Sequence, residues 1–490
     1  MSGQVTISIW LFIILLAVCA WALLERVLIP SSRWFIRRRI NRVIDEISSR
    51  LDIQIKPFQL TKRQVLIDRL VYDPKVLEAV QQTARERECP REIVQREAMS
   101  YAREIVPSFN AYLYFRIGYW IAKKIARLLY RVRIGITGDE QFSSVDPEST
   151  VVFVINHRSN MDYVLVAFLA AEKTTLSYAV GEWAKIWPLQ TLIRAMGAFF
   201  VRRNSSDPLY RRVLERYVHM ATKEGVCQAV FLEGGLSRDG RLRQPKLGFL
   251  DYMLRSYDPA KDRDIVFIPV GINYDRTLED RSLLRELDPD VEKRSSWFVI
   301  KTTCGFIWKS LILIILSRWQ RFGYAYVNFG NPVSVRHYCK ENSLDFKKLE
   351  RSARFLEVEN LADRLMEAIK RVIPVLPVSL VATVMLESGQ KGMRAFEVQT
   401  QVNRLIADLQ DEGAHVYVSP RQPVESILNA LNMLVLRRLV QESQGIYRTI
   451  PAELSVLSYY ANAIAHWRHD SPGANDSLHQ KRNAGANDGV

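Results

Sequence analysis

The spacing of apolar positions changes several times along the chain, and each change predicts a different kind of element. Residues 5–24 are almost wholly apolar. Such a run, about 20 residues long, crosses a bilayer core of roughly 30 Å and predicts a transmembrane anchor. Behind it Ile36, Ile40, Val43, Ile44, Ile47 and Leu51 recur at helical spacing, bordered by Arg33, Arg37, Arg38, Arg39 and Arg42. That pattern predicts an amphipathic helix suited to a membrane surface. Helical periodicity continues over residues 60–132, broken at Asp73-Pro74, Cys89-Pro90 and Val106-Pro107, where proline favours a helix start and restrains the residue before it. Beyond Arg133, short β-rich runs at 151–155, 198–201, 229–232 and 265–272 alternate with helical stretches, which predicts a sheet with helices packed on it.

Further on, the apolar run 311–316 is flanked by Trp308, Arg318 and Trp319. It is too short to span a membrane and suits either an interfacial contact or a buried helix. Residues 343–467 read as mainly helical, and the small polar tail after Asp470 predicts disorder. The expected fold class is therefore α/β: a sheet domain at 133–340, preceded by an anchor at 1–30 and a basic helix with a helical bundle at 31–132. A helical C-terminal domain at 341–469 and a tail at 470–490 complete it.

Charge narrows the partners. The net charge of +15 over 490 residues asks for something anionic. Six arginines lie between Arg26 and Arg42, directly after the apolar run. This asymmetry predicts a single-pass anchor in the cell inner membrane with the body in the cytoplasm, and anionic membrane lipid explains the cluster better than nucleic acid. The five cysteines, Cys19, Cys89, Cys227, Cys304 and Cys339, are scattered and form no C-x-x-C pair. A reducing compartment without a structural metal follows.

The chemistry concentrates at the ends of the β-rich runs. The apolar run 151–155 leads into Asn156-His157-Arg158-Ser159-Asn160-Met161-Asp162. An imidazole can take a proton from an attacking hydroxyl, and a carboxylate on its other nitrogen fixes the tautomer, roles that suit His157 and Asp162. A second strand runs into Glu233-Gly234-Gly235-Leu236-Ser237-Arg238-Asp239-Gly240, a charged, glycine-rich turn without the Lys-Ser/Thr of a P-loop. Glu233 there also reads as a cap on the following segment. Between them, Gly197-Ala198-Phe199-Phe200-Val201-Arg202-Arg203 offers two guanidinium groups suited to phosphate. No G-x-S-x-G elbow and no metal-ligand spacing of histidines is present, so direct attack by a substrate hydroxyl remains.

Four ordered blocks, His157 to Tyr163, Gly197 to Arg203, Phe231 to Lys246, and Ile268-Pro269-Val270 with Tyr274-Asp275-Arg276, resemble the glycerol-3-phosphate and dihydroxyacetone-phosphate acyltransferases. These belong to the wider glycerolipid acyltransferases with a His-x4-Asp motif. The resemblance runs from about Asp73 to Trp467 and includes the segments 101–105 and 457–464. It implies transfer of a fatty acyl group from acyl-CoA or acyl carrier protein to the sn-1 hydroxyl of glycerol 3-phosphate, giving lysophosphatidic acid without a cofactor or an acyl-enzyme. His157 would be the base and Asp162 its orienting carboxylate. Arg202, Arg203, Glu233, Gly234, Ser237, Arg238 and Lys246 would shape the phosphate side, with Arg238 the first choice, and Pro269 and Val270 would lie near the acyl donor.

The family usually carries arginine where this chain has Leu236. That departure keeps open a lysophosphatidate, other lysolipid or dihydroxyacetone-phosphate acceptor. A non-catalytic, lipid-binding membrane scaffold is the reading from another class.

Overall fold

The computed structural model describes residues 56–111, 113–136, 145–170, 176–181, 189–202, 205–287, 322–419 and 422–468. The expected anchor at 5–24, the basic helix at 33–51, Arg203, the segment 308–319 and the tail lie outside them. Among the described residues no helix is long and apolar enough to cross a membrane.

Four helices come first: α1 (Pro57–Leu60), α2 (Arg63–Val71), α3 (Pro74–Glu86) and α4 (Arg91–Ile105). The prolines act as the sequence predicts. Pro74 opens α3 behind Asp73, whose side chain accepts the Lys75 N–H, and Pro90 occupies the N-cap of α4. Helix α5 (Tyr119–Leu129) then feeds β1 (Arg131–Ile136).

The main sheet continues with β2 (Thr150–Ile155), β3 (Ser177–Val180), β4 (Phe199–Phe200), β5 (Gln228–Phe231), β6 (Ile265–Tyr274), β7 (Tyr324–Phe329) and β8 (Val333–Ser334). Its order is β1-β7-β6-β2-β5-β3-β4, with β8 also on β6. Strands β6, β2, β5, β3 and β4 run parallel, so the chain leaves β2, β5, β3 and β4 at one edge of the sheet. The helices between them are α6 (Met161–Ala170), α7 (Leu189–Ala195), α8 (Pro208–Lys223) and α9 (Gly248–Leu254), with α10 (Asp280–Arg285) after β6.

All ten residues of β6 are buried, as expected for a strand covered on both faces. Pro269 sits within it because its missing N–H falls in a gap: β8 pairs Val266 and Phe267, β7 takes over from Val270, and Gly330 donates to the Pro269 carbonyl at 2.8 Å.

One core runs from Leu70, Val80 and Ala98 of the first helices through Tyr210 and Val213 of α8 to Val152 and Phe267 of the sheet. It ends on Leu361 and Leu365 of α12 (Arg351–Val372), which follows α11 (Val335–Glu341). The first helices therefore cover one face of the sheet. Ala122, Ala126, Leu165, Val270 and Ile272 belong to the core on the other face. Helix α12 ends directly on β6, since a Cβ at Gly271 would stand 2.4 Å from the Val372 carbonyl oxygen. Amides clamp that end: Asn328 donates to the Val372 carbonyl at 3.0 Å and Asn273 to that of Pro374 at 2.8 Å.

The C-terminal region adds α13 (Pro377–Ser388), α14 (Ala395–Asp411), α15 (Pro423–Leu436) and α16 (Leu454–Ala461) around their own core of Val381, Leu431 and Leu457. It also holds a three-stranded sheet of β9 (Met393–Arg394), β10 (Val440–Ser443) and β11 (Ile446–Thr449), which the helical expectation lacks. The β10–β11 turn places Gln444 and Gly445 at positive φ, as a tight hairpin requires. These strands are too short and too exposed to show a period of two in the sequence.

Candidate functional site

Strand β2 delivers His157 to the sheet edge, and the side chain of Asn156 continues the ladder past its end. That amide donates to the Ile272 carbonyl at 2.9 Å and accepts the Ile272 N–H at 2.7 Å. The histidine backbone is held on both sides: its N–H donates to Glu233 Oε1 at 2.9 Å, and its carbonyl accepts the Ser237 N–H at 2.8 Å. The ring stacks on Phe231 with centroids 4.0 Å apart and meets Tyr163 edge-on at 5.3 Å.

Asp162, in the first turn of α6, faces His157 Nδ1 at 2.9 Å. The same oxygen, Oδ2, accepts the N–H groups of Arg158 at 2.7 Å and Ser159 at 3.0 Å, while Oδ1 accepts the Tyr274 hydroxyl. An ionised carboxylate only accepts, so Nδ1 carries the proton and Nε2 keeps its lone pair. Nε2 has no hydrogen-bond partner among the described residues. The arrangement fixes the tautomer and leaves Nε2 able to accept a proton.

Around it, Ser159 Oγ donates to Glu279 at 2.7 Å and accepts the Met161 N–H at 3.1 Å, which anchors the start of α6 to the segment after β6. Burial raises the pKa of Glu279. Tyr274 belongs to the fourth block, yet nothing in its spacing reveals its tie to Asp162, 112 residues away. We predict that Tyr274→Phe lowers kcat about tenfold, the equivalent of one lost buried hydrogen bond of about 1.4 kcal/mol, with little change in KM. Steady-state kinetics of the variant checks this; a change confined to KM would place Tyr274 in substrate binding instead.

The structure revises several sequence expectations. Glu233 is buried, and its two oxygens accept the backbone N–H groups of His157 and Arg243, each at 2.9 Å. It is a strut between the first and third blocks, neither a substrate contact nor a cap on the segment directly after it. Burial pushes its pKa up to about 7 against those two amides. Arg202 follows β4, the third strand from β2, and so stands on the order of 14 Å from the line of β2. It forms a two-pronged pair with Glu104 at 3.0 and 2.6 Å instead of reaching His157. Arg238 is exposed and pairs with Glu286 at 3.3 Å.

Ser237 turns its hydroxyl onto the Arg241 carbonyl at 2.6 Å. Pro269 and Val270 are buried within β6. Gly234 takes φ +66°, and the stem of Lys246 lies over it. The Lys246 ammonium, like the Arg241 and Arg243 guanidinium groups, has no ion-pair partner among the described residues, so these three third-block cations are left for a phosphate. Leu236 packs against the C-terminal core.

That C-terminal contact extends over the first and third blocks and the helix that follows the fourth. The Tyr459 hydroxyl donates to the Arg158 carbonyl at 3.2 Å, and the buried Arg158 guanidinium donates to the Ala463 carbonyl at 3.2 Å. Asn462 donates to the Asp239 carbonyl at 2.9 Å. Gly240 has φ +85°, and a Cβ there would overlap the Tyr459 carbonyl. Asp280 accepts Tyr460 and Arg437, each at 2.5 Å.

A family model described as acyltransferase matches residues 133–273, and one described as glycerol-3-phosphate acyltransferase C-terminal region matches residues 310–468. The glycerol-3-phosphate acyltransferase of Pseudomonas entomophila (strain L48) is 28% identical over 424 residues, covering 83% of this chain and 49% of the relative. That of Shewanella pealeana (strain ATCC 700345 / ANG-SQ1) is 27% identical over 422 residues, 83% of this chain and 50% of the relative. That of Pseudomonas putida (strain W619) is 31% identical over 349 residues, 68% and 40%. The chain thus spans about half the length of the curated relatives it matches. Among solved structures, the 1-acyl-sn-glycerophosphate (LPA) acyltransferase from Thermotoga maritima aligns with TM-score 0.29 and 17% identity, over 52% of this chain and 78% of that one.

Proposed function

We propose, from the premise that the chain belongs to the glycerol-3-phosphate acyltransferase family, that it transfers a fatty acyl group from a thioester carrier to the sn-1 hydroxyl of glycerol 3-phosphate. The observation that carries this reading is the His157–Asp162 pair, with Nδ1 committed to the carboxylate and Nε2 left to act. Nε2 takes the proton as the hydroxyl oxygen attacks the thioester carbonyl. The tetrahedral oxyanion then collapses with cleavage of the carbon–sulfur bond, and the thiolate leaves with the proton from the imidazolium, yielding lysophosphatidic acid and free carrier thiol. Acyl-CoA or acyl carrier protein is the donor, and Lys246, Arg241 and Arg243 are the third-block cations left to meet the acceptor phosphate. The apolar run 5–24 and the arginines behind it hold the protein to anionic lipid at the inner membrane, with the catalytic body in the cytoplasm.

A lysophosphatidate acceptor is the second reading, favoured by Leu236, which meets the C-terminal core where the family pattern has arginine. Membranes containing the protein, given labelled glycerol 3-phosphate, dihydroxyacetone phosphate or lysophosphatidic acid with either donor, separate the readings. Glycerol 3-phosphate is expected to be the best acceptor. Transfer to lysophosphatidic acid alone would replace the acceptor and keep the mechanism, and transfer to none would favour the scaffold.

A further inference from the structure

Between the turn after β6 and the end of α15 lies a depression of about 350 Å³, and three of its walls are arginines: Arg276, Arg281 and Arg437. Two of them are compensated. Arg437 donates to Asp280 at 2.5 Å and to the Tyr460 hydroxyl at 2.7 Å, and Arg281 pairs with Glu453 at 3.0 Å. Asp280 also accepts Tyr460, so its charge is already shared. The Arg276 guanidinium is half-buried and has neither a hydrogen bond nor an ion pair among the described residues; it lies 4.1 Å from the centre of the Phe322 ring. Burial and the neighbouring Arg437 both lower its pKa, so the site carries positive charge that the protein does not neutralise. A partly desolvated cation without an acceptor is costly, and an anion removes the cost.

We propose that this depression binds a phosphate group, with the planar fork of Arg276 taking two of its oxygens and the Ser282 hydroxyl and Arg281 bordering it. The choice of phosphate over another anion rests on the acyltransferase reading, in which acceptor and product both carry one. The site is separate from the third-block turn that holds Lys246. It abuts the segments that hold the catalytic pair: Tyr274 bonds Asp162 two residues before Arg276, and the Thr277 N–H donates to Tyr460 at 3.1 Å. A phosphate here steadies the contact between the fourth block and the C-terminal region. It comes either from a soluble phosphate ester or from a lipid headgroup.

The test uses the full chain in detergent or in lipid nanodiscs, without acyl donor, and follows the thermal midpoint. Wild type, Arg276→Gln and Arg276→Lys are compared in inorganic phosphate, in glycerol 3-phosphate and in chloride of equal ionic strength. They are also compared in nanodiscs of phosphatidylcholine with and without phosphatidylglycerol. The wild-type midpoint is expected to rise with one of the phosphate sources over its control, Arg276→Lys to keep part of the rise and Arg276→Gln to lose it. Without phosphate, Arg276→Gln should be at least as stable as wild type, because an unpaired cation has gone. Which arm responds identifies the source.

An equal rise in Arg276→Gln would place the anion elsewhere. No rise in wild type, or a variant destabilised under every condition, would reduce Arg276 to packing on Phe322. None of these readings depends on turnover, and the same rise in His157→Ala protein separates this site from the fate of the acyltransfer reading.

Discussion

Replacing His157 with alanine is expected to lower the rate of acyl transfer by about 10² to 10⁴, the range for loss of a general base, while the protein still folds. The fold should survive because the neighbours of His157 keep their partners. Asp162 retains the Arg158 and Ser159 N–H groups and the Tyr274 hydroxyl, and Glu233 still accepts the backbone N–H of residue 157. What disappears is the nitrogen that no described residue occupies. The loss should fall on kcat, since the ring is needed when the hydroxyl loses its proton and not for holding the acceptor phosphate. Initial rates at saturating acceptor and donor, with thermal unfolding run beside them, check this. A variant that folds and turns over at the wild-type rate would remove His157 from the mechanism.

The parts of this site that sequence reveals are those written in local runs. The strand 151–155 is apolar throughout and ends in a polar turn, so both β2 and the exit of His157 from it are legible, as are β5 and β6. The His-x4-Asp spacing places Asp162 in the next helix, within reach of Nδ1. Partners far apart in the chain leave no such mark. Arg202 looks like a phosphate ligand until Glu104, 98 residues earlier, is seen to hold both prongs of its fork. Glu233 looks like a substrate contact until both oxygens are found on backbone amides. Tyr274 gains its meaning only from Asp162. Strand β3 is missed because Ser177 and Ala179 interrupt its apolar, β-forming positions, whereas the equally short β5 overlaps the unbroken apolar run 229–232.

The C-terminal region shows the same limit most sharply, because its sequence reads as helices while its contacts reach back onto the first and third blocks. Of those contacts Asp280 is the most heavily loaded. It is buried, precedes Arg437 by 157 residues and is 180 residues from Tyr460, and it accepts both. Arg437 is itself largely buried, and its remaining contacts are the Tyr460 hydroxyl and a face toward that ring.

Asp280→Ala is therefore expected to cost about 3–5 kcal/mol, because it leaves a buried guanidinium without its counter-charge, a larger effect than the loss of one hydrogen bond. Removing both charges with Asp280→Leu and Arg437→Met should recover much of that stability, since no buried charge then remains unpaired. Activity should track the folded fraction in the single variant, because the Tyr460 contact with the Thr277 N–H steadies the turn just beyond Tyr274. Chemical unfolding of the wild type, the single variant and the double variant measures the cycle. A single variant as stable as wild type would mean that the C-terminal region holds the blocks through Tyr459, Asn462 and Leu236 without help from this pair.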